Sequence, residues 1–260
     1  MKLDNKQTLI DAINEADLVL IGIGEEWAVT FDDMLKDTDF SADFIKMTTE
    51  EQRNSFVPIL QREYLKEIRD SQLKAAYENL LELVKDKNYF VISMNQDRYP
   101  ALCGFCEDRV VFPCGGYVAL QCDGGCTDEL KDGALCDEIY QKIHTNTDME
   151  GLMMPTCEKC GKELVFNNVK AVKYVEAGYL PMWERYMKWL QGTVNKKLCL
   201  IELGVSMRYP SVIRWPFEKT TFYNQKAKLF RIHHSLSQSA ENIGDRCYTC
   251  DENSVVYMAK

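Results

Sequence analysis

No stretch of this 260-residue chain is apolar for long enough to span a bilayer, which takes about 20 consecutive apolar residues. Its opening residues, Met1-Lys2-Leu3-Asp4-Asn5-Lys6, also lack the apolar run of a secretory leader. The expected setting is the cytoplasm, with no membrane partner. Positive charge is in short supply too: 31 Lys and Arg against 40 Asp and Glu leave a formal net charge of −9. Binding a phosphate backbone needs clustered Lys and Arg, so nucleic acid is not an expected partner. Basic protein segments or small molecules fit better.

Cysteine is not lacking. Of eleven cysteines, four fall in two short-spaced pairs beside glycine-bearing turns, Cys122-Asp-Gly-Gly-Cys126 and Cys157-Glu-Lys-Cys160. In a reducing compartment, cysteines grouped in this way are metal ligands more often than disulfides, and four thiolates close a tetrahedral zinc site. Structural zinc on Cys122, Cys126, Cys157 and Cys160 is therefore the strongest single expectation. Cys103/Cys106 and Cys247/Cys250 share the C-x(2)-C spacing. On spacing alone either could replace the first pair, form a second metal site or a redox couple, or stand unligated.

The remainder alternates helical and strand-like segments. With 46% hydrophobic residues, the chain fits one large α/β domain with an insertion, or two domains. Helical spacing over residues 5–16 precedes Asp17-Leu18-Val19-Leu20-Ile21-Gly22-Ile23-Gly24, an apolar run that reads as a parallel strand buried on both faces. Residues 27–87 are mostly helical in pattern, and their apolar stripes read as core. Further strands are expected at Tyr89-Phe90-Val91-Ile92-Ser93, Val110-Val111-Phe112, residues 198–204 and residues 227–232. Such alternation implies a doubly wound parallel sheet, whose ligands sit beyond the carboxyl ends of the strands. Gly22 and Gly24, and Asn95 and Asp97, fall at such ends. Either they meet a ligand or they simply make turns. His233 and His234 follow the last expected strand, where neighbours would point to opposite faces, so that one at most faces the cleft. The segment 208–218, rich in Arg and aromatics, is either a ligand wall or a Pro-punctuated packing segment.

In order, these segments resemble the sirtuin family of NAD-dependent enzymes over about residues 16–246. Gly22-Ile23-Gly24 resembles the start of the family's G-A-G-[IA]-S loop, and Met94-Asn95-Gln96-Asp97 its Q-N-I-D motif. The two cysteine pairs resemble its zinc ribbon, Gly204-Val205-Ser206 its G-T-S loop, and Arg231-Ile232-His233 its I-N-x-E loop. The resemblance implies a Rossmann-like, sirtuin-like NAD domain over residues 1–113 and 176–260, with a helical insertion at about 31–87, and a zinc-ribbon module over 114–175. It implies NAD and zinc as cofactors, with Gly22, Gly24, Glu26, Asn95, Asp97, Gly204, Ser206 and His233 around NAD. In that role Asn95 orients the nicotinamide ribose and Asp97 holds the carboxamide.

Two departures bear on the chemistry. Where the family continues with S-G-I-P-D-F-R, this chain has Glu25-Glu26-Trp27-Ala28-Val29-Thr30-Phe31, and two carboxylates beside a pyrophosphate repel it unless they face ribose hydroxyls or a cation. They also suit the first turn of a helix. The family's histidine base stands eight residues before the first zinc cysteine; here that position is Cys114. A thiol of ordinary pKa is mostly protonated at neutral pH and offers no proton-accepting nitrogen. Cys114 is then a nucleophile, a redox sensor or a small buried residue, and ordinary deacylation is disfavoured. The loop Leu203-Gly204-Val205-Ser206 with Ile213-Arg214-Trp215-Pro216-Phe217-Glu218 resembles the macrodomain-linked sirtuins, which transfer ADP-ribose. The leading expectation is an ADP-ribosyltransferase acting on a protein or peptide acceptor, with Asn95, Asp97 and Cys114 as catalytic candidates. A catalytically silent NAD or nucleotide sensor or scaffold, and a weak protein-lysine deacylase, are the alternatives.

Overall fold

A computed structural model of the chain describes residues 1–3, 5–147, 149 and 151–260. Nine strands are assigned among them: β1 (Leu18–Ile23), β2 (Asn88–Ser93), β3 (Val110–Val111), β4 (Gly115–Cys122), β5 (Lys131–Asp132), β6 (Leu164–Asn168), β7 (Leu198–Leu203), β8 (Lys228–Ile232) and β9 (Cys247–Cys250). The helices are α1 (Lys6–Glu15), α2 (Phe31–Lys36), α3 (Thr38–Ile45), α4 (Glu50–Tyr64), α5 (Ser71–Val84), α6 (Tyr99–Leu102), α7 (Asp137–Thr145), α8 (Leu180–Gln191), α9 (Arg214–Tyr223) and α10 (Ser254–Ala259).

Six strands form one parallel sheet in the order β3-β2-β1-β7-β8-β9. Every residue of β1 and β7 is buried, as expected of parallel strands covered on both faces. Alternate side chains divide the core in two. Val19, Ile21, Val91, Ile201 and Phe230 pack with α1, α5 and α10, while Leu20, Phe90, Leu200 and Leu229 pack with α8 and α9. Strand order reverses at β1, between β2 and β7, and the crevice at such a switch point is where doubly wound sheets take ligands.

The second sheet is antiparallel, in the order β5-β4-β6, and Leu164-Val165-Phe166 is one of its strands. Met34, Phe40, Phe56 and Ile59 of α2–α4 share a core with Leu120, Ile139 and Phe166 beside this sheet, whereas Leu73, Tyr77 and Leu80 of α5 lie on the large sheet.

The sequence pattern gave no warning of β9 and α10. Cys247-Tyr-Thr-Cys250 is a strand, and residues three apart in a strand face opposite sides. Cys247 accordingly packs into one core cluster and Cys250 against the other, so this pair does not converge on a metal. The carboxyl-terminal segment then turns back over the strand ends with Asn253 as helix cap, its side chain accepting from the amides of Val255 and Val256.

Candidate functional site

Gly24, Asn95, Gly204 and His233 each lie just past a carboxyl end, of β1, β2, β7 and β8 respectively, so the parallel sheet brings the four sequence-distant segments to one edge. The loops there touch. A Cβ on Gly24 would sit 2.3 Å from the Gly204 carbonyl oxygen, and the Gly24 amide donates to the Leu203 carbonyl at 2.8 Å. Gly204 has φ +62, and a Cβ there would meet the Glu26 Cβ at 2.4 Å, so both the conformation and the space require glycine. Gly22 lies below them in β1, under Ile213, which caps α9, and Phe217 within that helix.

Between these loops a 3₁₀ turn, Glu25–Trp27, carries two carboxylates. Glu25 accepts from the Ser206 amide at 3.0 Å. Glu26 is 6% exposed and accepts from the His234 amide at 2.9 Å and from the Ser254 amide and hydroxyl, both at 2.6 Å. His234 Nδ1 lies 2.6 Å from the same carboxylate. Burial raises the Glu26 carboxyl, but the hydrogen bonds from His234 and Ser254 outweigh it and hold the group below its ordinary range. Trp27 is fully buried, edge-on to Tyr77 at 4.6 Å, and its indole donates to the Ser254 hydroxyl.

His233 and His234 do not point to opposite faces. The strand stops at Ile232, and the rings stack with centroids 4.7 Å apart. His233 Nδ1 accepts from the amides of Ser235 and Leu236, and burial lowers its pKa, so the ring is neutral with its proton on Nε2.

The nicotinamide-side candidates are enclosed. Asn95 is 2% exposed; neither atom of its side-chain amide meets strict hydrogen-bond geometry with a partner among the described residues, although the buried Tyr77 hydroxyl lies close enough to interact with it. Buried amides are rarely left without such a bond, so this one has pairing capacity to spare. Asp97 accepts from the Tyr99 amide at 3.1 Å, and burial raises its carboxyl to about 7. Cys114 is buried; burial, then the charge of Glu25, pushes its thiol up to about 11, with Arg208 opposing. At neutral pH it is a protonated thiol. Beside the turn, Glu26 also lines a cavity of about 290 Å³ with Val29, Tyr64, Arg69, Tyr99 and Asn253. Of the residues singled out from the sequence, only part of the segment 208–218, Trp215 and Pro216 among it, lines the groove of about 680 Å³ between α8 and α9.

The segment 208–218 divides: Arg214 is buried against Glu202, whereas Trp215 stands exposed in the α8–α9 groove. Sequence reasoning missed Glu202 and Arg231 as a buried pair, joined at 2.9 and 3.0 Å beneath the Gly204 loop, and missed Ser254 entirely. The Asn253 cap was the available signal for the latter.

The cysteine quartet converges. Sγ atoms of Cys122 and Cys160 lie 3.4 Å apart, and that of Cys126 lies 3.5 Å from those of both Cys122 and Cys157. A tetrahedron with Zn–S of about 2.3 Å has S···S edges of about 3.8 Å, so the donor set fits zinc. The amide of Cys126 favours the Cys122 thiolate, and those of Lys159 and Cys160 favour that of Cys157. The other four-ligand combinations that spacing allowed do not form among the described residues.

No family model matches the chain. It is 25% identical to a protein ADP-ribosyltransferase of Staphylococcus aureus, over 91% of this chain and 82% of that protein. It is 26% identical to a probable bifunctional ADP-ribose hydrolase/ADP-ribosyltransferase of Fusarium oxysporum over 55% of this chain, which spans only 25% of that longer protein. Among solved structures, Sir2Tm bound to a propionylated peptide superposes with a TM-score of 0.56 at 15% identity, covering 98% of this chain and 95% of the other. Sir2 with a p53 peptide and NAD+ superposes over the same shares at 0.53 and 17% identity. The sheet order, the cysteine cluster and the superpositions agree, and the chain has the fold of the Sir2 structures.

Proposed function

We propose that this chain is an NAD-dependent protein ADP-ribosyltransferase with a structural zinc. The observation that carries the reading is the neutral Cys114 thiol, raised to about 11, at the position where sirtuin resemblance puts a histidine base. Deacylation asks for a proton acceptor there, whereas transfer to an acceptor side chain does not ask for one at that place. The similarity to two proteins named as ADP-ribosyltransferases supports the same choice.

NAD, when bound, supplies the ADP-ribosyl group by breaking the bond from the anomeric carbon to nicotinamide. The chain's own residues position and enclose. The Asn95 amide pairs with the nicotinamide ribose, and Asp97, its carboxyl raised by burial to about 7, donates to or accepts from the carboxamide. Gly22, Gly24, Gly204 and Ser206 line the approach for the phosphates, with His233 on the adenosine side. Cys122, Cys126, Cys157 and Cys160 hold zinc, which ties β4 to β6 away from the chemistry. The domain division read from the sequence, 1–113 with 176–260 and 114–175, is retained as part of this proposal.

Purified protein incubated with NAD labelled on the adenylate and with a cell lysate should release nicotinamide and label protein. The absence of both release and label would refute the assignment. A catalytically silent sensor is the second reading, favoured by the glutamates on the phosphate side; binding of NAD without nicotinamide release would establish it in place of the transferase.

A further inference from the structure

The turn Glu25–Trp27 does more than replace a family loop. Its two carboxylates take hydrogen bonds from the Ser206 amide, the His234 amide, the Ser254 amide and the Ser254 hydroxyl, with His234 Nδ1 against them as well. These donors come from the loops after β7 and β8 and from the start of α10, all beside the strand ends. A pyrophosphate is also a doubly negative group with clustered acceptor oxygens, and a donor engaged by one anion is lost to the other. The turn is not a loose flap. The Glu26 amide donates to the Gly204 carbonyl at 3.3 Å, and Trp27 is anchored in the core and on Ser254.

We infer that Glu25 and Glu26 form an internal anion that occupies the phosphate-binding donors of the dinucleotide cleft, so that a nucleotide pyrophosphate binds only by displacing them. The pair thereby sets affinity and selects for ligand charge: uncharged nucleosides compete on better terms with nucleotides than they would in an open cleft. The inference rests on the proposed location of NAD at these strand ends, and it names what limits binding there.

The test uses the full chain, its Glu25→Gln and Glu26→Gln variants and the double variant, titrated calorimetrically with NAD, inorganic pyrophosphate and adenosine. Glutamine keeps the length and an acceptor oxygen while removing the charge. The double variant is expected to bind NAD and pyrophosphate about tenfold more tightly than the parent, with adenosine affinity changed by less than about twofold. Unchanged affinity for both NAD and pyrophosphate, or equal gains for adenosine, would overturn the inference. Where Glu26→Gln lowers the melting temperature, Glu25→Gln decides alone, since among the described residues its carboxylate is hydrogen-bonded only to the Ser206 amide; the expected gain is then about threefold. The two proposals separate cleanly. Tighter pyrophosphate binding with no nicotinamide released by any form keeps the internal anion and removes the transferase; nicotinamide release with unchanged KM for NAD in the variants does the reverse.

Discussion

Replacing Asp97 by Asn should stabilise the ligand-free protein increasingly as pH rises. Asp97 is 3% exposed, and among the described residues the Tyr99 amide at 3.1 Å is the one donor to its side chain beyond its own residue. Burial is the largest influence on its carboxyl and raises it from the ordinary 3.8 to about 7, while the amides of Tyr99 and of Asp97 itself pull the other way. The folded value lies above the unfolded one, so the folded chain holds the proton more tightly. The stability this confers is complete below pH 3.8 and is lost as pH rises through about 7. Between about pH 5 and about pH 8.5 the unfolded carboxyl is already ionised, while the folded one gives up its proton at a cost of about 2 to 3 kcal/mol, at about 1.4 kcal/mol per tenfold. Asparagine keeps the oxygen that accepts from Tyr99 and carries no charge at either pH. Urea denaturation of parent and variant should therefore show the gap widening in the variant's favour by that amount between those two pH values. A gap that stays constant would refute burial as the dominant influence on Asp97. Under the proposed function the same substitution should weaken NAD binding, a stability gain set against a functional loss.

Three further outcomes are expected. The purified chain should carry one zinc, released to a chromogenic chelator on denaturation, and Cys157→Ser should lose both the metal and several degrees of melting temperature; a variant that retains the full metal content would exclude the cysteine quartet as its site. Glu202→Gln removes the more deeply buried of the two carboxylates paired with Arg231, itself 0% exposed, and should cost about 3 kcal/mol or more in urea unfolding, whereas a loss under about 1 kcal/mol would mean that Glu218 alone suffices. With its thiol near 11, Cys114 should be alkylated by iodoacetamide at neutral pH about tenfold more slowly than exposed Cys106, as read by peptide mass spectrometry; equal rates would show Cys114 to be an activated thiolate.

The legible parts of this protein are those with local causes. Apolar runs such as Leu18–Ile23, and Leu198–Leu203 interrupted by Glu202 alone, read as strands covered on both faces, because a short element with nearly every side chain apolar must be buried on both sides. Two cysteine knuckles likewise announce a shared ligand set, because their spacing already constrains each pair. Counting from Cys122 back to Cys114 needed nothing but the chain. What escaped was decided at a distance. Cys247-Tyr-Thr-Cys250 has a knuckle's spacing, but pairing with β8 makes it a strand and sends its thiols to opposite faces. His233 and His234 stack because β8 ends at Ile232, so neither histidine lies in the strand whose alternation would separate them.

The sequence by itself thus determined the main strands, the parallel sheet and the cysteine knuckles, since periodicity and spacing are properties of neighbouring residues; which knuckles converge on one site was decided by the fold. Only the tertiary structure decided what Glu25 and Glu26 do. Their hydrogen-bond donors lie at Ser206, His234 and Ser254, about 180 to 230 positions further along the chain, and no local pattern states which groups a parallel sheet brings to its carboxyl edge.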